Sequence, residues 1–375
     1  MPGIEWEEIR REFAWSGPGA YLNTAAEGLW LRRLDGALSA YAAAKGRGAL
    51  GRPELAAVEE RTRAAVARLL GGRPEDIAFV SSTSRALDVA VGLIDLPAGS
   101  NIVLLDSEFP SAIVTGHRLR DAGVEVRQVP ALPVGADESA LVAHVDDRTA
   151  VIIVSSVSFI TGRRVDVAEL RRLLGDRQPV VIVDAIQSAG VAELPLGDID
   201  ILIFGTYKWL LGPHGLAVVH LDPVRMADAQ PAYRGWRGVA DAFAPDRLTA
   251  SPMHRDARRL EDGMPNYLGL TVLERSLEFL GEIGLPARSA RVAELVDAFT
   301  DALDRRGIGY GPAEPDRRVG IVTIPTRRAE DVAARLAGEG FQVWGREGVL
   351  RVSPYLHTTH DELAALAAAL PGGTA

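Results

Sequence analysis

The strongest constraint on this chain is a series of short segments that are apolar on consecutive residues. Ile77 to Val80, Ile102 to Leu105, Val151 to Val154, Val180 to Val183 and Ile201 to Phe204 read this way, and Gly215 to Leu221 adds another. A strand with one face in water alternates apolar and polar residues. A strand apolar on both faces needs cover on both, which crossover helices give to parallel sheets. Val124 to Val129 is also strand-like. Helical periodicity fills the gaps, in Ser84 to Ile94 and Ser111 to Ala122. Upstream, Pro53 to Leu70 repeats apolar residues at three- and four-residue steps until Gly71 and Gly72 stop it. Such alternation predicts an α/β fold with a mostly parallel, doubly wound sheet.

The remaining chain divides by texture. Residues 1–50 read as an N-terminal arm, with a helical Asp35 to Ala44, and residues 51–265 as the large domain. Pro223 to Pro252 is irregular. Residues 266–375 hold a long helix over Tyr267 to Ile283 and another over Ala287 to Arg306. A small α+β domain follows: strand Gly320 to Ile324, helix Ala329 to Glu339, strand Val349 to Ser353 and helix Asp361 to Leu370.

Composition removes several classes of function. The formal net charge is −9, which gives no attraction to nucleic acid or anionic membrane. The absence of cysteine removes disulfides, thiolate metal sites and any thiol nucleophile. Met1 to Ser16 carries Glu and Arg throughout, unlike a signal peptide, and no stretch of ~18 apolar residues could span a bilayer. A soluble, cytoplasmic protein is expected. The seven histidines show no metal spacing; His357 and His360, in a turn before the last helix, read as surface or capping residues. Neither G-x-G-x-x-G after the first strand nor G-x-x-x-x-G-K-[ST] occurs, so a nucleotide-binding reading of the same sheet lacks its phosphate loops.

The segment from Val181 to Gly215 carries the chemistry. Asp184 ends a buried apolar strand, where doubly wound sheets bind ligands. Two readings fit it. A protonated pyridine nitrogen, as in pyridoxal 5'-phosphate, would compensate the carboxylate; alternatively Asp184 caps a helix over Ala185 to Ala189. Lys208 follows another buried run, between Tyr207 and Trp209. Lys45 and Lys208 are the only lysines in a chain rich in arginine, and imine formation is one reason to place a lysine at a strand end. Ser81 to Ser84 follows a strand and opens a helix, either as an ordinary N-cap or as a phosphate cradle.

The order of cradle, Asp-x-x-Gln turn and Lys-Trp-Leu-x-Gly-Pro resembles the class V aminotransferase family of fold-type I pyridoxal-phosphate enzymes, the group of cysteine desulfurases, kynureninases and isopenicillin-N-epimerase-like proteins. The resemblance runs from Tyr21-Leu-Asn-Thr-Ala-Ala-Glu-Gly28 to Arg351-Val-Ser-Pro-Tyr355. It implies a large domain with a seven-stranded-type sheet and a small domain joined by the N-terminal arm. It further implies that Lys208 holds the cofactor as a Schiff base and then acts as acid and base at Cα. Asp184 would pair the pyridine nitrogen and Gln187 the ring O3' oxygen, with Ser156 also near O3'. Thr83 and Ser84 would bind the phosphate, with Tyr207 nearby. Gly205 departs from a common Ser, and the neighbouring Thr206 could supply that hydroxyl. Phe109, in Asp106-Ser-Glu-Phe-Pro110, would cover the cofactor ring. Arg351 would take the substrate carboxylate, beside Asn23 of the arm. Trp236 and Met264-Pro-Asn266 match places where the group reaches into a neighbour's active site, which implies a homodimer; Met264 departs from a frequent Thr.

The reaction type is less constrained. A cysteine desulfurase takes sulfur on a catalytic thiol, and this chain has none. An amino-acid lyase that releases a β-substituent in specialised metabolism ranks first, amino transfer second, epimerisation third. A catalytically silent binding protein on the same fold is the alternative of another class; retention of Lys208, Asp184, Gln187 and Arg351 together speaks against it.

Overall fold

The computed structural model describes residues 4–132 and 135–371; residues 1–3, 133–134 and 372–375, including the two ends of the arm and small-domain ranges above, lie outside the described residues. In chain order the helices are α1 (Trp6–Arg11), α2 (Leu34–Gly46), α3 (Arg52–Leu70), α4 (Thr83–Val91), α5 (Pro110–Asp121), α6 (Glu138–Val142), α7 (Val167–Leu174), α8 (Tyr267–Ile283), α9 (Leu285–Asp304), α10 (Ala329–Gly338) and α11 (His360–Ala369). The strands are β1 (Ala20–Tyr21), β2 (Ile77–Val80), β3 (Asn101–Leu105), β4 (Glu125–Val129), β5 (Thr149–Ser155), β6 (Val180–Asp184), β7 (Ile201–Gly205), β8 (Ala217–Leu221), β9 (Val322–Pro325), β10 (Phe341–Gln342), β11 (Trp344–Arg346) and β12 (Val349–Val352).

Seven strands form one sheet in the order β2-β8-β7-β6-β5-β3-β4. β8 alone runs antiparallel, to β2 on one side and β7 on the other. The continuous apolar runs are explained by burial on both faces. On one face Val103, Ile152, Val181, Val183 and Phe204 join α3, α7, α8 and α9 in one core. On the other, Ile102, Ile153, Ile182 and Ile203 meet α4 and α5. A doubly covered sheet leaves only its strand ends reachable by a ligand, and β5, β6 and β7 end side by side: Ser155 pairs with Asp184, and Asp184 with Ile203.

Towards the C-terminus a second, three-stranded antiparallel sheet, β11-β12-β9, packs with α10, while α11 packs against α9. The arm reaches this region through β1, which pairs with β10, and through a bridge from Asn23 to Ser353. Beneath the large sheet, α3 is tied to β2 by a buried charge cluster. Arg63 donates to the Ile77 carbonyl at 2.7 Å, to Glu261 at 2.9 Å and to Glu59 at 2.8 Å.

Two expectations change. No helix follows Asp184; residues 186–191 are a run of turns, and the Asp184 carboxylate accepts from Ile186 N at 2.9 Å. The capping role therefore becomes a tight turn at the strand end. His357 is buried, its Nε2 2.9 Å from the Tyr21 carbonyl, and burial pushes its pKa down to about 4. It is an interior residue, because the N-terminal segment around Tyr21 folds over a turn that looks exposed in the sequence. His360 stays on the surface beside Glu294 at 3.0 Å.

Candidate active site

A cleft of about 240 Å³ opens at the ends of β6 and β7, lined by Thr83, Ser84, Phe109, Asp184, Tyr207 and Lys208 together with Ser82, Ser111, Ile186, Gly205, His214, Gly215 and Leu216. A larger cavity, about 520 Å³, lies between α3 and α8, but neither Lys208 nor Asp184 reaches it.

Lys208 sits three residues past β7 and is only 5% exposed. Its Nζ lies 5.8 Å from the Phe109 ring centre and 5.7 Å from that of Tyr207. Burial pushes the ammonium pKa down, and Arg351 adds to this; Asp184 and Glu27 pull it back. Asp184 moves the opposite way: burial raises its pKa against the Ile186 N–H and the Lys208 charge. Two desolvated groups of opposite sign thus face one cleft, each less reluctant to be neutral than in water.

The loop carrying the lysine is tightly held. The Gly28 N–H donates to the Tyr207 carbonyl at 2.8 Å, and a Cβ at Gly28 would stand 2.1 Å from the Lys208 carbonyl oxygen. Only glycine lets the arm approach so closely. Leu211, three residues on, has φ 56°, a left-handed conformation rare for a branched side chain, and its buried side chain fixes it there.

At the other end of the cleft α4 begins. Ser82 caps it, accepting from Arg85 N at 3.1 Å. The first-turn N–H groups of such a helix have no acceptor within it. The Thr83 Oγ1 is buried without a partner, and Ser84 Oγ meets Ser111 Oγ at 2.7 Å. An orphaned hydroxyl at a helix N-terminus fits an anion such as phosphate. Gly205 belongs to this fit: a Cβ there would meet Thr83 Oγ1 at 2.8 Å and crowd the cradle.

Arg351, on β12, is 3% exposed and among the described residues meets no carboxylate. It donates to the Phe159 carbonyl at 2.9 Å and to Asn23 Oδ1 at 3.3 Å, while its Nε has no partner. Burial lowers its pKa to about 10, so it keeps its charge at neutral pH. A buried cation with unused donors is a receptor for an anion.

Other residues singled out in the sequence are not among those lining this cleft. Gln187 is buried with both ends of its amide engaged, donating to the Ala25 carbonyl at 3.0 Å and accepting from Trp209 Nε1 at 3.0 Å. Ser156 Oγ meets Ser188 Oγ at 2.5 Å. Thr206 turns its hydroxyl to the Pro213 carbonyl at 2.8 Å, so it closes the lysine loop instead of lining the cleft. Trp236 is partly exposed beside Phe243, and Met264 to Asn266 line a groove that shares Gly215 and Leu216 with the cleft. No cluster of three metal-ligating side chains occurs among the described residues.

Sequence reasoning passed over three residues. Glu108 is buried with both carboxyl oxygens on Ser155, and burial raises its pKa to about 7. His214 stacks on Tyr207 at 4.6 Å and contacts Glu27 at 2.9 Å. Glu108 had a signal in the sequence, a charged residue directly beside Phe109 after a buried run. Glu27 and His214, far apart in the chain, had none.

Comparison with known proteins follows the same lines. The sequence model described as aminotransferase class-V matches residues 31–366. Isopenicillin N epimerase of Streptomyces clavuligerus is 30% identical over 99% of this chain and 98% of its own. Kynureninase of Deinococcus radiodurans is 29% identical over 77% of this chain and 72% of its own. Among solved structures, a cysteine desulfurase from Thermococcus onnurineus superposes with a TM-score of 0.84 at 23% identity, covering 98% of each chain. The cystine C–S lyase C-DES superposes at 0.85 and 19%, covering 93% of this chain and 96% of its own. Both structural likenesses concern the fold.

Proposed function

Because the chain belongs to the class-V aminotransferase family, whose members are pyridoxal-phosphate enzymes, we propose that it is an amino-acid lyase that removes a substituent from Cβ. The observation that carries this reading is the buried, pKa-lowered amine of Lys208 facing Asp184 and Phe109. The residues present fit the cofactor: Thr83, Ser84 and the start of α4 for its phosphate, Asp184 for its ring nitrogen, Lys208 for its aldehyde carbon. When bound, the cofactor supplies an electron-withdrawing ring that acidifies Cα–H.

The chain's own groups do the rest. Arg351, held by Asn23 and the Phe159 carbonyl, binds the substrate carboxylate and fixes the orientation of Cα. Lys208, whose neutral form burial favours, takes the Cα proton and delivers it to the departing group. Phe109 covers the reacting carbon and keeps water from it. No cysteine exists on this chain to receive sulfur, so a persulfide-forming desulfurase is not the reading.

Epimerisation is the second reading, favoured by the 30% identity to isopenicillin N epimerase over nearly the whole chain. Phe109 speaks against it, since that wall of the cleft carries no proton to return to the other face of Cα. Amino transfer stands third. The holoprotein with an S-substituted cysteine separates them: a lyase gives pyruvate, ammonia and the thiol, with one water consumed. A keto acid that retains its sulfur would mean amino transfer, and inverted amino acid epimerisation; either overturns the proposal.

The reading includes a homodimer. Met264 lines the groove that adjoins the cleft, Trp236 lies beside Gly263 of the same groove and meets Phe243 edge-on, and all three expose large apolar side chains. Such a patch on a single chain is commonly an interface. Sedimentation at micromolar concentration should give twice the mass of one chain. Cytoplasmic residence also belongs to the reading, supported by the lack of cysteine; no helix among the described residues is long and apolar enough to cross a membrane.

A further inference from the structure

We infer that the site selects amino acids with an uncharged aromatic or bulky apolar side chain, held by a wall of three rings, Phe109, Phe159 and Trp344. This rests on the reading of Arg351 as carboxylate receptor and Lys208 as reacting amine.

The wall joins those two groups. Lys208 Nζ lies 5.8 Å from the Phe109 ring centre. Phe109 meets Phe159 edge-on, centres 5.1 Å apart at 74°. Phe159 meets Trp344 at 6.5 Å and 66°, and the Arg351 guanidinium carbon lies 4.8 Å from the Trp344 ring centre. Trp344 is placed there by register, directly opposite Arg351 across the β11–β12 pair. A substrate with its carboxylate on Arg351 and its amino group toward Lys208 therefore spans the wall.

The rings are not ordinary core. Phe109 is 40% exposed, and Phe159 and Trp344 are half-buried. Edge-to-face pairs leave ring surface free to pack a further apolar group. Among the described residues, the cations that meet the end rings of this wall are Lys208, near Phe109, and Arg351, near Trp344. Both are already assigned, so a side-chain carboxylate would be desolvated here without a partner, at a cost a neutral side chain does not meet.

The test uses α-methylphenylalanine, 2-aminoisobutyrate and α-methylglutamate, which lack the Cα proton and cannot be processed by its removal. Their dissociation constants are read from the visible absorbance of the holoenzyme's cofactor. α-Methylphenylalanine should bind roughly tenfold tighter than 2-aminoisobutyrate, and α-methylglutamate no tighter than 2-aminoisobutyrate. Phe159→Ala should bring the first ratio to within about twofold while leaving 2-aminoisobutyrate binding in place, because the carbonyl that holds Arg351 is backbone. Phe159→Leu, which keeps apolar volume, decides the point if the alanine variant does not fold; its ratio should also fall. Equal binding of the phenyl and methyl compounds, tightest binding of the glutamate analogue, or a ratio unmoved by both variants overturns the inference alone. No spectral response to any of the three overturns the proposed function with it.

Discussion

Glu108 grips Ser155 with both carboxyl oxygens, 2.8 Å from its backbone nitrogen and 2.5 Å from its hydroxyl. Ser155 ends β5 and is the register partner of Asp184 at the end of β6, so the Glu108 carboxyl, three residues past β3, feels the Asp184 charge. Burial, the largest influence, raises the Glu108 pKa to about 7; the Ser155 hydrogen bonds lower it, and Asp184 raises it further. Phe109 follows directly in sequence, and this grip fixes where its ring stands over the cleft.

The sign of the resulting pH dependence is definite. A carboxyl whose folded pKa lies above its unfolded value of ~4.3 stabilises the fold fully below that value, and the contribution is lost as pH rises through the folded pKa. Across about pH 4.5 to 7 the loss is on the order of 3 kcal/mol for such a shift. Asp184 shifts in the same direction and contributes in parallel. Glu108→Gln removes one titration, so the melting temperature should fall less between pH 5 and pH 8 than in the parent protein. Equal falls would show that Glu108 does not titrate in this window.

Lys208→Ala should abolish turnover while pyridoxal phosphate still binds without a covalent link. Borohydride treatment followed by intact mass measurement should add the cofactor to the parent chain and not to the variant. Turnover surviving the substitution would remove Lys208 from the chemistry.

Arg351→Ala should raise KM with little change in kcat, since carboxylate binding is shared by ground and transition states. Loss of a charged hydrogen-bonded contact costs about 1.5–3 kcal/mol, a KM increase of roughly 10- to 150-fold. An unchanged KM would place the carboxylate elsewhere.

Gly28→Ala tests the arm. Its Cβ would lie 2.1 Å from the Lys208 carbonyl, which is backbone and cannot step aside. Cofactor affinity and activity should both fall, with a smaller effect on the melting temperature. A variant that binds cofactor normally would mean that the arm does not position the lysine loop.

Arg63→Ala should destabilise the protein by about 3–5 kcal/mol, because Glu59 and Glu261 lose a buried partner. Arg237 remains beside Glu59 and Glu261 and limits the loss. Urea midpoints at constant slope measure it.

Much of the fold was legible along the chain. Ile77 to Val80 is a strand over the same residues, and the other apolar runs form strands within one to two residues of their expected ends, because burial on both faces demands continuous apolar sequence. Lys208 and Asp184 stood out for a related reason: a charged residue at the end of such a run has to be explained. The turn after Asp184 was not legible, since Ala185 to Ala189 suit a helix until the carboxylate takes the Ile186 N–H. The engagement of Gln187 with Ala25 and Trp209, 162 and 22 residues away, left no local trace either.

The sequence by itself therefore determined which segments are strands, that Lys208 stands just past the end of one, and which chemistry is closed to a chain without thiols. These follow from local periodicity and residue type. Tertiary structure decided what each polar side chain spends its hydrogen bonds on, that His357 is interior, that Glu108 sits beside Asp184, and that three rings join Lys208 to Arg351. Desolvation and partner choice depend on what the fold brings into contact across hundreds of residues, and no pattern along the chain encodes that on its own.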